Sequence, residues 1–372
     1  RRPRLAGPAR HDAVDGAVER AWVAELLRRA ADQAALIGEY ALVNALLAGA
    51  LRLIDPSEMA TLIEVRTGRH TALYSIGRLD EADEEYRTIE QLRPPALQRI
   101  DATCVQVLSL TQRNRYSEAL GLGLEALREL GITVPAADRL AAELDSQFDV
   151  LYRWLDHIDA SGDLARPEIT DPTLLAATCL TEAVMPVAYF VADLEMHAWL
   201  SLEGLRIWLE HGPGRTLLGP AGNAAVAAVA LRDDYSAAHR VLRRALALGE
   251  ARGYEPETSE AYFRFACFSW YFVPIEDVVQ AARRARNGLI AGGDLAYVGY
   301  THYVTVAGVL DCAPSLDGCI AEVEAALAFV RRTDAEQIAQ WLDPYQWLAG
   351  VLRGERHAAG DEPVPIDRYT NN

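Results

Sequence analysis

One pattern recurs along this chain, and its clearest copy is Gly77-Arg78-Leu79-Asp80-Glu81-Ala82. A turn residue is followed by a polar residue, an apolar residue, two polar residues and a small one. Residues 114–119 and 233–238 repeat the pattern, and three weaker copies also occur. The final residues of these copies, here called the pivot residues, are separated by 39, 37, 119, 40 and 41 positions; they are Val43, Ala82, Ala119, Ala238, Val278 and Cys319.

This spacing predicts a helical repeat. A period of roughly 35 to 45 residues, with helical rather than alternating hydrophobic periodicity, is typical of stacked helix pairs. The longest gap is about three of the short ones, so two degenerate units fit inside it. The predicted fold is therefore all-α, a right-handed superhelical α-solenoid of about nine helix pairs.

Local signals divide the chain further. Aspartate followed by proline predicts helix starts at Asp55, Asp171 and Asp343, and small pivot residues predict close, buried helix contacts. The predicted organisation is a linker or disordered edge at 1–14, repeats at 15–160, a connection at 161–171, repeats at 172–352 and a tail at 353–372.

Composition excludes several classes of function. The net charge is −17, which disfavours nucleic acid and anionic membranes as partners. The chain contains no lysine, so it lacks the residue that phosphate-loop ATPases, protein kinases and Schiff-base enzymes need. No metal or cofactor motif is recognisable. We therefore expect no catalytic residue, no metal, no cofactor and no enzyme activity.

The cysteine pattern and hydropathy predict a cytoplasmic location. The five cysteines are scattered without a disulfide framework, as in reduced intracellular proteins. The most apolar run is expected at residues 41–54, where Asn44 and Arg52 interrupt it, so no membrane span is predicted.

The unit containing Glu81-Ala82-Asp83-Glu84-Glu85-Tyr86, followed by Leu92 and Pro94, resembles the second helix of the tetratricopeptide repeat. The spacing exceeds the 34 residues of that family, so the resemblance implies longer, tetratricopeptide-like hairpins.

A second resemblance covers most of the chain. Residues 115–120, 125–132, 171–175, 200–204 and 293–300 are similar, in the same order, to the helical region of large multidomain bacterial signalling ATPases. In that family a kinase or cyclase module, an ATPase and a sensor module are fused around the repeats. The resemblance implies a non-catalytic repeat region whose partner is a protein, a peptide or a neighbouring domain.

An aromatic cluster supplies the candidate binding site. Seven aromatic residues fall within residues 262–272, and Tyr297, Tyr300 and Tyr303 follow on the next unit. These rings either fill a core or line a groove. For a groove, the partner-binding candidates are Tyr262, Arg264, Tyr297, Tyr300 and Tyr303, some of which must be partly exposed, with hydroxyl and guanidinium groups facing solvent. Replacing Tyr300 with Ala would then change stability little.

Three functions stay open from the sequence. The first is a sensing or protein-interaction scaffold that relays ligand or partner binding to neighbouring modules. The second is a peptide- or small-ligand-binding regulator of the quorum-sensing type. The third is a freestanding enzyme with a pocket inside the superhelix.

Overall fold

The computed structural model describes residues 9–157, 160–333 and 336–354, and every regular element within them is helical. The predicted all-α class is thus confirmed. The helices are α1 (Ala9–Leu36), α2 (Tyr40–Leu51), α3 (Met59–Ser75), α4 (Leu79–Gln91), α5 (Ala96–Gln112), α6 (Tyr116–Glu129), α7 (Ala137–His157), α8 (Ala160–Ala165), α9 (Pro172–Phe190), α10 (Leu194–His211), α11 (Leu218–Arg232), α12 (Tyr235–Arg252), α13 (Glu257–Phe268), α14 (Ile275–Gly292), α15 (Leu295–Cys312), α16 (Leu316–Thr333) and α17 (Glu336–Leu352), with a short 3-10 helix at Arg215–Leu217.

The helices form two compact units, and each unit is made of two separate segments of the chain. Unit 1 comprises Arg1–Ala136 and Thr170–Asp193, and unit 2 comprises Ala137–Ile169 and Leu194–Asn372. These limits differ from the predicted repeat blocks 15–160 and 172–352, and α8 overlaps the predicted connection 161–171. Residues 1–8 of the predicted N-terminal edge and 355–372 of the predicted tail lie outside the described residues.

Unit 1 is completed by a helix that arrives late in the sequence. Its α9 packs against both α5 and α6. At this crossing, a Cβ atom added to Gly123 of α6 would lie 2.1 Å from a methyl carbon of Val184 in α9. Only glycine at position 123 allows the two helices to approach this closely.

Unit 2 brings alternate helices into contact as well as sequential ones. Helix α11 contacts α13, α13 contacts α15, and α15 contacts α17. The intervening α12, α14 and α16 each pack against the helices on both sides of them in the sequence. The first helices of successive hairpins therefore lie side by side.

The pivot residues occupy the predicted buried positions. Ala82, Ala119 and Ala238 each have 0% of their surface exposed, which confirms the predicted burial. Each lies in the first or second turn of the second helix of its hairpin. A small side chain at this point permits close packing of the helix against its neighbours.

Helix starts agree only partly with the sequence analysis. Asp171 caps α9 by accepting hydrogen bonds from the amides of Thr173 and Leu174. The prediction is wrong at Asp55, whose carboxylate instead accepts hydrogen bonds from Ser57 in a turn, so that α3 begins at Met59. It is wrong at Asp343 as well, because Pro344 lies inside α17.

Helix α9 corrects the hydropathy expectation. By length and composition this 19-residue helix could cross a membrane, with a mean hydropathy of 1.4 in its most apolar window. Half of that window is buried within the protein, and a core helix meets the same criteria. The expected maximum at residues 41–54 includes only the shorter α2.

Candidate functional site

A continuous row of aromatic side chains runs across α13, α15 and α17 in unit 2. We call it the aromatic row; its members are Phe263, Tyr297, Tyr300, Tyr303, Trp341 and Tyr345. Helices α13 and α17 each contact α15, and this arrangement places the rings of three hairpins next to one another.

The rings contact one another in sequence. Tyr300 of α15 lies between Phe263 and Trp341, with ring centroids 6.2 Å and 5.7 Å away and interplanar angles of 29° and 27°. Tyr303 meets Trp341 at 5.6 Å and Tyr345 at 6.0 Å, both at steep angles. Offset-stacked and edge-on pairs of this kind contribute roughly 0.5–1.5 kcal/mol each. The row is thus held in place by its own contacts.

Each ring of the row is only partly buried. Phe263 and Tyr297 pack against an apolar cluster that contains Leu289 and Phe329. Tyr300, Trp341 and Tyr345 pack against a second cluster, which includes Val306, Val323 and Leu342. Tyr303 is 37% exposed, and the other five rings are half-buried. These side chains therefore pack against the core and are also partly accessible at the surface.

Arg264 does not face solvent as expected for a groove residue. Its side chain is buried, and its guanidinium donates hydrogen bonds to Glu260 at 3.2 Å and to the Tyr297 hydroxyl at 3.2 Å. It also lies over the Tyr297 ring, 5.5 Å from the centroid. Because a buried guanidinium needs partners, Arg264 holds Tyr297 and Glu260 in position rather than offering a free contact.

Tyr262 makes its polar contacts with residues outside the row. Its hydroxyl donates a hydrogen bond to Glu250 of α12, and Arg284 of α14 lies 4.3 Å from the centre of its ring. Burial and the adjacent Glu250 raise the pKa of Tyr262 to about 12. The structure thus groups Arg264, Tyr297, Tyr300 and Tyr303, while Tyr262 packs against the same apolar cluster as Tyr297 and directs its hydroxyl to Glu250.

Carboxylates border the row at both ends of α15. Asp294 caps the helix by accepting a hydrogen bond from the amide of Tyr297, and Glu260 lies near the same ring. At the other end, burial raises the pKa of Tyr345 to about 12, the adjacent Tyr303 hydroxyl adds to this, and the exposed Asp311 makes a smaller contribution.

Glu260 is the most perturbed of these carboxyl groups. Its side chain is 15% exposed. Burial raises its pKa above the ordinary value, the charge of Arg264 opposes this, and the nearby Asp294 and Glu257 add to it. Glu260 and Arg264 therefore form a buried ion pair at this end of the row, with Asp294 and Glu257 nearby.

The partner-binding candidates predicted from the sequence leave out Trp341, Tyr345 and Glu260, and also Phe263, which lies in the predicted aromatic cluster. A usable signal was present, because Phe263, Tyr300 and Trp341 are 37 and 41 residues apart, as the pivot residues are. Aligning the first helices of the hairpins on that spacing would have placed these three rings in one row.

Metal sites and known relatives are alternative guides to function. Among the residues the structure describes, no group of three or more His, Cys, Asp or Glu side chains could hold a metal ion. The chain matches no protein-family model and no curated protein sequence. Its function must therefore be argued from the geometry.

Proposed function

We propose that this chain is a non-catalytic interaction scaffold that binds a protein or peptide partner on the aromatic row. The observation that carries the proposal is a set of six partly exposed, mutually packed rings on three adjacent helices. Tyrosine and tryptophan offer large contact areas at small cost in conformational entropy, and they are enriched where interfaces gain most of their energy.

The helix arrangement supports a repeat architecture for this surface. Contacts between alternate helices of unit 2 are those expected when tetratricopeptide-like hairpins stack. The right-handed superhelix predicted from the repeat spacing is part of the proposal. In such a stack the first helices line one face, and the aromatic row belongs to α13, α15 and α17, which are first helices.

The proposal extends to the context of the scaffold. The order of the sequence resemblances favours the repeat region of a multidomain bacterial signalling ATPase or kinase in the cytoplasm. Partner binding on the row would then bias a neighbouring module between two states, provided that the partner binds those states with different affinity.

A selection of displayed random 12-residue peptides on the full chain tests the binding surface. Selected peptides would be synthesised and titrated by fluorescence anisotropy against the wild type and Tyr303→Ala. Tyr303→Ala should weaken binding about tenfold, as expected when a central aromatic contact is lost. Thermal unfolding of the variant would show whether the fold is retained.

Tyr271→Ala provides the matched control, because Tyr271 is 78% exposed and lies outside the row. Its substitution should leave peptide affinity unchanged. The proposal would be wrong if no peptide were selected, or if both substitutions weakened binding equally.

A further inference from the structure

Carboxylate groups lie near the aromatic row at both ends of α15. Glu260 and Asp294 interact with Tyr297, and Asp311 interacts with Tyr345. We call these three residues the acidic border. Arg264 is buried and already bonded to Glu260, so it offers little positive charge to a partner.

Helical geometry places part of the border on the same face as the rings. Tyr300 and Asp311 are eleven residues apart in α15, which is close to three full turns, so both side chains leave the helix in nearly the same direction. Asp294 immediately precedes the helix. A ligand lying along α15 across Tyr300 and Tyr303 would therefore meet a carboxylate at each end.

Aromatic faces flanked by carboxylates favour a cation. Ammonium and guanidinium groups are attracted by ring faces and form charge-assisted hydrogen bonds with carboxylates. An anionic ligand would be repelled both by the border and by the net charge of −17.

We propose that the partner segment bound by the aromatic row is cationic, with lysine or arginine side chains that reach the two ends of α15. This inference rests on the proposed function and adds the chemistry of the partner. Asp294 and Asp311 are seventeen residues apart, or roughly 25 Å along the helix axis. An extended segment covers that length in roughly eight residues, so its two cationic positions should be about eight residues apart.

The same displayed library of random 12-residue peptides supplies the probe. Peptides whose binding is lost with Tyr303→Ala should be enriched in lysine and arginine and depleted in aspartate and glutamate. Replacing the cations of a selected peptide with glutamine should weaken its binding about tenfold, and raising the salt concentration should weaken the parent peptide further.

Substitutions in the protein separate the border from the rings. Asp311→Asn removes an exposed charge and should weaken binding of a cationic peptide about fivefold. Asp294→Asn should act in the same direction while retaining a side chain that can cap α15. The matched control is Asp277→Asn, an exposed aspartate in the first turn of α14, which should leave affinity unchanged.

The outcomes distinguish this inference from the proposed function. Selected peptides that depend on Tyr303 but carry no excess of cations would overturn the cationic partner and leave the binding surface standing. The same conclusion follows if Asp311→Asn, Asp294→Asn and Asp277→Asn have equal effects. Failure to select any peptide would overturn both.

Discussion

Tyr300 stacks against Trp341 across the contact between α15 and α17, with ring centroids 5.7 Å apart and planes inclined by 27°. The two residues are separated by 41 positions, the spacing that also separates Val278 from Cys319. The aromatic row therefore follows the repeat, and its rings contribute to the packing between hairpins as well as to the proposed binding surface.

Replacing Tyr300 with Ala should reduce the free energy of unfolding by roughly 2 kcal/mol, because the ring is half-buried between two aromatic neighbours. This differs from the expectation, drawn from the sequence, that stability changes little. Tyr303→Ala should cost less than about 1 kcal/mol, since that ring is more exposed. Urea unfolding of both variants would compare them, and equal losses would show that Tyr303 is packed as tightly as Tyr300.

Gly288→Ala should destabilise the protein by roughly 1–3 kcal/mol through overpacking. A Cβ atom at this position of α14 would lie 1.9 Å from the hydroxyl oxygen of Ser259 in α13. Gly121→Ala is the control, because position 121 of α6 is exposed and nothing lies within 4 Å of the new atom. Gly121→Ala should raise the free energy of unfolding by about 0.5–1 kcal/mol. An unchanged urea midpoint for Gly288→Ala would mean that α13 and α14 can move apart at little cost.

Ala238→Leu should cost about 1–3 kcal/mol, because the pivot residue is fully buried and no space is left for a larger side chain. Ala119→Leu should behave similarly in unit 1. The matched substitution Ser236→Leu, two residues earlier at an exposed position, should change the free energy of unfolding by less than about 0.5 kcal/mol. Similar losses in the free energy of unfolding for Ser236→Leu and Ala238→Leu would show that the pivot position does not require a small side chain.

Stability should fall as the pH drops from about 6.5 towards 4. Burial, together with nearby arginine charges, lowers the pKa of His197 and His302 to about 4. In this window the unfolded chain binds more protons than the folded one, so the free energy of unfolding decreases by up to roughly 1.4 kcal/mol per pH unit for each histidine.

The difference between variants isolates this effect from other titrating groups, such as Asp163, whose pKa is raised by burial and acts in the opposite direction. His302→Gln should make the pH dependence of the free energy of unfolding shallower by the contribution of one histidine. His211→Gln, at an exposed position, serves as the control. Unfolding midpoints measured between pH 4 and 7 would contradict the assignment if both variants kept the wild-type slope.

The chain should neither bind ATP at micromolar concentration nor hydrolyse it, because it has no lysine with which to contact the β- and γ-phosphates. Isothermal titration with Mg²⁺-ATP and a phosphate-release assay on the purified chain would check this. Saturable micromolar binding would require a pocket built from arginines and backbone amides, which would contradict the non-catalytic assignment.

The sequence predicted those features that depend on local rules. The pivot alanines were predicted to be buried because their repeat position requires a small side chain at a close helix contact, and they are buried. Asp171 caps α9 because its side chain reaches the first free amides.

Features that depend on tertiary packing were not predictable in the same way. Asp343-Pro344 has the local form of a helix start, yet α17 continues through it. The direction of Tyr262 is determined by Glu250 and Arg284, which approach it from neighbouring helices. Arg264 is buried because Glu260 and Tyr297 supply its partners, and one of them comes from the next hairpin.

The late position of α9 in unit 1 has a consequence for how the protein is made. During translation, α5 and α6 leave the ribosome before α9, and the segment Ala137–Ile169 emerges between them. The surface of α5 and α6 that binds α9 therefore stays uncovered until α9 has been synthesised. In the same way, α7 cannot pack against α10 until α10 has been synthesised. Because the two units are interleaved along the polypeptide, no single cleavage of the backbone can release either one whole. Release of intact unit 1 requires cuts on both sides of Ala137–Ile169 and a third after Asp193, with α9 staying bound through its contacts alone.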